Sequence, residues 1–186
     1  MADDFQLVAG HVALDFANTL DNRYHPAGSI ELLPTQERFL AFARQSGILS
    51  AQQARQPTAQ HSLDRVIDLR EALHFLFHSV VAKEPAPRAS LKTLNRVLAE
   101  DRAAQMLVWE KGSFEWRSLK PVAPLHAIAF AAAELLTSPD RVHVRECSAD
   151  TCRWFFLDRS KNHSRRWCDM KVCGNRAKAQ RFHDRG

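Results

Sequence analysis

The chain has 186 residues, 45% of them hydrophobic, with eight prolines, six glycines and no repeat or low-complexity tract, which excludes wholesale disorder and leaves room for one ordinary core with a small appendage. Its net charge of +5 is unevenly placed: twelve of the 26 lysines and arginines, but only six of the 21 acidic residues, lie from Asp140 onward. That segment therefore carries about +6 and the remainder about −1, an asymmetry that points to a polyanionic partner, nucleic acid first. The acidic start MADDFQLVAGHVALDF and the lack of a long apolar run lead to the expectation of no secretory leader, no bilayer-spanning segment and a cytoplasmic protein without membrane association.

In chain order, Ala13, Leu14, Ala17 and Leu20 recur at helical spacing and predict a short first helix. Thr35 is the expected N-cap of a helix carrying Phe39, Leu40 and Ala43, which Gly47 ends; Ser50 and Gln53 resemble a capping box for a further short helix that Pro57 stops. The clearest helix runs from about Ser62 to Ala82, with Leu63, Val66, Ile67, Leu73, Phe77, Val80 and Val81 as its apolar stripe. After Pro85 and Pro87, the residues Leu91, Leu94, Val97 and Leu98 predict another helix. The period then changes: residues 106–110 and 114–117 flank Lys111-Gly112-Ser113 and read as a β-hairpin. An alanine-rich helix follows from about Pro124 to Leu136, and Ser138-Pro139 marks the expected boundary. Beyond it, strands are expected at Arg141–Arg145, with Val142 and Val144 on one face, and at Trp154–Leu157, with a last helix from about Gly174 to His183. The expected fold class is α+β: a mainly helical unit with one hairpin over residues 1–139, and a small C-terminal four-cysteine unit, a hairpin knuckle followed by a helix, over residues 140–186.

All four cysteines fall in that second unit, in the order C-x4-C, fifteen residues, C-x4-C. Two close pairs one hairpin apart can surround one tetrahedral zinc ion, so Cys147, Cys152, Cys168 and Cys173 are the expected ligands of one structural zinc. A segment this small usually needs a metal or disulfides to fold, and a structural zinc contributes roughly 10–16 kcal/mol of apparent binding energy. His143, His163 and His183 lie nearby, but four thiolates already complete the shell and leave no open position for a catalytic water.

Around the cysteines, Arg159, Lys161, Asn162, Arg165 and Arg166 fall within eight residues, and Arg176, Lys178 and Arg181 lie on the last helix. Such residues suit phosphate and base-edge contacts, against a plainer reading in which they solvate a small unit and offset the thiolates. Lys178, Arg181 and Arg185, three and four apart, are expected to share one helix face, with Ala179 and Phe182 turned inward. Trp154, Phe155, Phe156 and Trp167 are either stacking platforms for bases or the unit's own small core.

The run Cys147 to Cys152, then Trp154-Phe155-Phe156-Leu157-Asp158, SKNHSRRWC and Cys173-Gly174-Asn175-Arg176 resembles the CGNR zinc finger of bacterial proteins. Upstream, LDFANTL at 14–20 and LREAL at 69–73 resemble its companion ABATE-type domain, so the resemblance covers nearly the whole chain. It implies a stress-induced transcriptional regulator whose finger binds zinc and DNA and whose helical part senses a small ligand; duplex DNA, a small-molecule effector and a homodimer are the expected partners. Asp15, Asn18, Arg70 and His74, with His78, are the expected pocket residues, set against a plainer reading as a solvated helix face and a core Asp–Arg pair. An RNA-binding module and a protein adaptor remain as alternatives. An enzyme has the least support, since no nucleophile–base or paired-carboxylate arrangement stands out.

Overall fold

The structure is a computed structural model that describes residues 5–49, 61–102, 105–118 and 123–183. Its elements are α1 (Val12–Ala17), β1 (Leu20–Asp21), β2 (Ile30–Glu31), α2 (Gln36–Gln45), α3 (Leu63–Ala82), α4 (Arg88–Arg102), β3 (Gln105–Glu110), β4 (Ser113–Ser118) and α5 (Pro124–Thr137). A 3₁₀ turn (Pro139–His143), β5 (Val144–Glu146), β6 (Phe155–Leu157), a wide π-type turn (Met170–Gly174) and α6 (Asn175–His183) complete the chain. The class is α+β: among the described residues, helices with three separate two-stranded antiparallel pairs, β1–β2, β3–β4 and β5–β6. No helix among the described residues is long and apolar enough to cross a membrane.

Local chemistry sets most boundaries. The Thr35 side chain accepts from the Arg38 amide, satisfying one of the orphan donors that begin α2, and Gly47 leaves that helix at φ 77°. α3 ends on Lys83 at φ 58°, with the Glu84 amide bonded back to the Ser79 carbonyl. This is the left-handed cap that glycine usually supplies. Lys111 and Gly112, both at positive φ, make the tight turn that joins β3 to β4 in register Glu110↔Ser113. Trp109 and Phe114 pack edge to face at 4.8 Å on that hairpin, 61% and 70% exposed.

α1 is almost wholly buried, with Phe16 against Phe39 and Phe42 and with α3, α5 and β6 around it. The expected helix through Leu20 is shorter than its apolar pattern, because Leu20 pairs with Glu31 in β1–β2. The strand expected from Arg141 is also corrected. Residues 139–143 form a 3₁₀ turn after Pro139, and Val142 is 57% exposed while Val144 is buried. The short helix expected at Ser50–Gln53 lies outside the described residues.

The segment from Val144 does not stand apart as an appendage. Val144, Trp154, Phe155, Phe156 and Leu157 and all four cysteines belong to the same buried cluster as α1, α3 and α5. β6 is buried on both faces, with Phe155 beside Phe77 (6.1 Å) and His74 (5.2 Å). Its free edge is paired from far away in sequence. The Asn18 side chain donates to the Phe155 carbonyl and accepts from the Phe155 amide, each at 2.9 Å, and the Leu157 amide donates to the Ala9 carbonyl at 2.8 Å.

Candidate metal centre and its basic surroundings

Each cysteine is placed by a turn that the local sequence dictates. Cys147 follows β5, its amide bonded to the Trp154 carbonyl, while the Cys152 amide donates to Ala149 and Arg153 turns the chain at φ 58°. This closes a tight knuckle at the end of the β5–β6 pair. Cys168 precedes a turn whose start is capped by Asp169, accepting from the Lys171 amide at 2.6 Å, and Cys173 lies in the wide turn that feeds α6. Gly174 lets the Met170 side chain lie close over the turn: a Cβ there would stand 2.5 Å from the Met170 sulfur and push that exposed side chain aside. The Asn175 side chain donates to the Lys171 carbonyl at 2.9 Å and locks the same turn.

The four sulfurs lie within 4.8 Å of one another, all buried, with Cys152–Cys168 at 3.5 Å and Cys168–Cys173 at 3.6 Å. A tetrahedral zinc with bonds near 2.3 Å requires sulfur separations of about 3.8 Å, so the donors stand where the ion needs them. Charge gives the same answer. Mutual hydrogen bonding to Cys152 and Cys168 and the amides of Cys168 and Ala149 pull the Cys147 thiol far down, to about 2. The thiolate beside them raises Cys152 and Cys168, and burial with that same charge raises Cys173. Without a cation the cluster tolerates few thiolates; a divalent ion makes four tenable. The cluster fits one zinc ion, in keeping with a CGNR zinc finger, and Cys147, Cys152, Cys168 and Cys173 are the residues that would hold it.

The loop between the cysteine pairs is organised by Asp158, which is fully buried. Its carboxylate accepts from the Ser160 amide and hydroxyl and from the Arg165 amide (2.9 Å), and its carbonyl meets His163 Nδ1 at 2.8 Å. Burial would raise this carboxyl, but the Ser160 and Arg165 hydrogen bonds prevail and hold it below its usual range. The His163 ring stacks on His143 at 3.7 Å, and neither ring is among the four clustered ligands.

The predicted basic residues separate into two kinds. Arg165 turns inward: its guanidinium donates to the carbonyls of Trp167 (2.7 Å) and Cys168 and sits 4.6 Å over the Phe156 ring. Arg159, Lys161, Asn162, Arg166, Arg176 and Lys178 are exposed, and no ion pair engages the cations of this set among the described residues. The side chains of Arg181, Phe182 and Arg185 lie outside the described residues. Ala179, expected to face inward, is exposed; Ala177 is the residue that meets the cleft beside Cys173. Sequence reasoning passed over Lys171, equally exposed, although its place between Cys168 and Cys173 in the stapled turn could have marked it.

Arg166 and Arg176 wall one cleft of about 470 Å³ beside the metal centre, together with half-buried Trp167, Ser148, Thr151 and Asp150. Arg166 lies 5.4 Å over the Trp167 ring. Of the other aromatic candidates, Trp154, Phe155 and Phe156 are core, so Trp167 is the one with a face toward the cleft.

The expected pocket residues are each engaged by partners of their own. Asp15 accepts from the Ala9 amide at 3.0 Å, and Asn18 is engaged with Phe155. Arg70 grips Glu31 (2.6 Å) and Glu71 (2.9 Å), and His74 meets the Tyr24 hydroxyl at 3.2 Å. Among the described residues, one cavity lined by Asn18 and His74 and another lined by Asp15 and Asn18 measure about 10 Å³ each, room for a single water, and Arg70 lines neither. Nor do Asp15 and Arg70 pair. They are buried polar residues satisfied by separate partners, with His78 half-buried 3.9 Å from Glu146. Burial raises Asp15 to about 6 against the pull of the Ala9 and Val8 amides, and burial, then Arg23, lowers His74 to about 4.

A metal-stapled knuckle continuous with a helical core defines a zinc-finger protein with an N-terminal helical part. Comparison with protein families agrees. Residues 10–139 match the ABATE family, described as a "Putative stress-induced transcription regulator", and residues 143–186 match the CGNR zinc finger. The chain belongs to the ABATE family and carries a C-terminal CGNR zinc finger. No curated protein matches the sequence.

Proposed function

We propose that the chain is a cytoplasmic transcription regulator, not an enzyme, that binds duplex DNA through the outer side of its zinc-stapled segment. The observation that carries the reading is the cleft walled by Arg166 and Arg176 beside the cysteine cluster, in a segment where no ion pair engages Arg159, Lys161 or Lys178 among the described residues. Zinc, once bound, supplies fixed geometry for Arg166 and Arg176 on either side of Cys168 and Cys173; its four thiolates leave no position for a reacting water. Arginine forks then suit phosphate oxygens or guanine edges, and Arg159, Lys161, Asn162, Lys171, Lys178 and Arg181 extend the positive field. Asp150 is the acidic member of the cleft, outnumbered by the two arginines.

An RNA reading draws support from Trp167, whose partly open ring next to Arg166 could stack an unpaired base. A titration of zinc-loaded protein against duplex DNA and structured RNA separates the two. About six phosphate contacts give a slope of log K against log salt near −5 on duplex DNA. A steeper, tighter curve on RNA favours the second reading, and no binding to either polymer at low salt overturns both.

A further inference from the structure

Outside the cysteine centre, a second group of metal-ligating side chains comes together at one end of the helical layer. His61 lies immediately before α3, Glu100 near the end of α4, and His126 in the first turn of α5. Their ligand atoms lie within 4.8 Å of one another, although the residues are separated by 39 and 26 positions in sequence. His126 Nε2 is 3.5 Å from a Glu100 oxygen, and the two imidazole rings have centroids 4.8 Å apart. The His126 side chain is 14% exposed and that of Glu100 37%, so the group has a covered floor and an open mouth. His61 Nε2 is buried with no hydrogen-bond partner. A buried ring nitrogen left unsatisfied is costly unless something meets it.

We propose that His61, Glu100 and His126 form a second metal site, which takes a divalent transition-metal ion of the zinc, nickel or cobalt kind. Two imidazoles and one carboxylate form a borderline donor set that such ions favour, whereas magnesium and calcium prefer all-oxygen shells. Bonds near 2.1 Å need ligand atoms about 3.0–3.4 Å apart, so Glu100 and His126 are almost in place and the longest separation must close by about 1.5 Å, within reach of side-chain rotation. Arg65 holds both Glu100 oxygens, at 2.5 and 2.6 Å. It can keep one of them as an outer partner while the other meets the ion, the arrangement that orients ligating carboxylates generally. Three protein ligands leave positions for water, unlike the closed thiolate centre.

The site joins α3 and α4 to the start of α5, and α5 runs through the 139–143 turn into β5 and Cys147. Its role rests on the regulator reading above: metal occupancy fixes the element that leads into the finger, so the effector of the helical part is the metal ion itself rather than an organic metabolite.

The test uses full-length zinc-loaded protein dialysed against nickel alone, with bound metals counted per chain. The site requires about one equivalent of nickel with the zinc retained, and loss of the nickel in His61→Ala, Glu100→Gln and His126→Ala. Cobalt in place of nickel must give weak visible bands without the intense near-ultraviolet thiolate charge transfer that entry into the cysteine centre would produce. No second equivalent, or one that persists in His61→Ala, overturns the site. Should His126→Ala not fold, His61→Ala decides, since it precedes the helix and is only half-buried. A nickel equivalent that leaves duplex-DNA affinity unchanged keeps the site and overturns its effector role; absence of DNA binding with nickel still bound overturns the regulator reading instead.

Discussion

The stretch Trp154–Leu157 and the loop Arg159–Arg166 are separated by one residue, yet they have opposite fates. The first is buried among α1, α3 and β5, its backbone paired with Asn18 and Ala9 from the other end of the chain. The second stands open, with Arg159, Lys161 and Arg166 exposed. Asp158 is the hinge of the contrast, buried and gripping the loop from beneath through Ser160 and Arg165. One side of the zinc unit is thus structural glue for the whole protein, and the other is free to meet a partner. In this protein the finger works as part of the core with a positively charged rim.

The comparison breaks most severely if the metal can be removed without consequence for the helices. Cys152→Ser or Cys173→Ser, or chelation at neutral pH, should remove much of the roughly 10–16 kcal/mol that a structural zinc supplies. Because the cysteines share the core with α1 and α3, calorimetry should show the entire chain losing its cooperative transition. A melted tail beside unchanged helices would mean that the shared core is not real.

Asn18→Ala is the next largest expected effect. It strands the Phe155 amide and carbonyl in a buried site, at about 2–5 kcal/mol for the pair, readable as a lowered denaturant midpoint. A loss under 0.5 kcal/mol would show that β6 does not depend on that clamp.

Two buried groups give the inner side a pH signature. Asp15 is raised from 3.8 to about 6, so the folded state holds its proton more tightly; the stabilisation is full below about 4 and lost as pH rises through 6. Asp15→Asn keeps an acceptor for Ala9 without the buried charge, and should stabilise by at most about 3 kcal/mol at pH 7.5 and by nothing at pH 4. His74, lowered from 6.5 to about 4, acts the other way: its contribution is present above 6.5 and lost as pH falls toward 4. Urea denaturation across pH 4–8 measures both. An Asp15→Asn difference independent of pH would contradict the buried carboxylate.

The smallest and sharpest comparison is between neighbours. Arg165→Ala removes donors to the Trp167 and Cys168 carbonyls and should cost about 1–3 kcal/mol of stability. Arg166→Ala should change stability by less than about 0.5 kcal/mol, yet lower DNA affinity and flatten the salt slope by about one unit. Equal effects of the two on both measurements would erase the division into an inner and an outer side.

The parts of the molecule governed by neighbours in sequence were legible from residues alone. The paired C-x4-C spacings, the Thr35 cap and the Lys111-Gly112 turn each act within a few positions, and the cysteine centre and the β3–β4 hairpin follow from them. The 3₁₀ turn at 139–143 was missed because Val142 and Val144 mimic strand alternation, while Pro139 favours a helical start. What sequence order could not disclose is which polar residues meet across the fold. Asn18 finds Phe155 over 137 positions, and Asp15 and Arg70 each satisfy a different partner. His61, Glu100 and His126 converge only because three helices end or begin at one place. Ligand spacing, caps and charge are properties of the chain; burial and partnership belong to packing, since a buried polar group takes whichever partner the tertiary fold brings within hydrogen-bond reach.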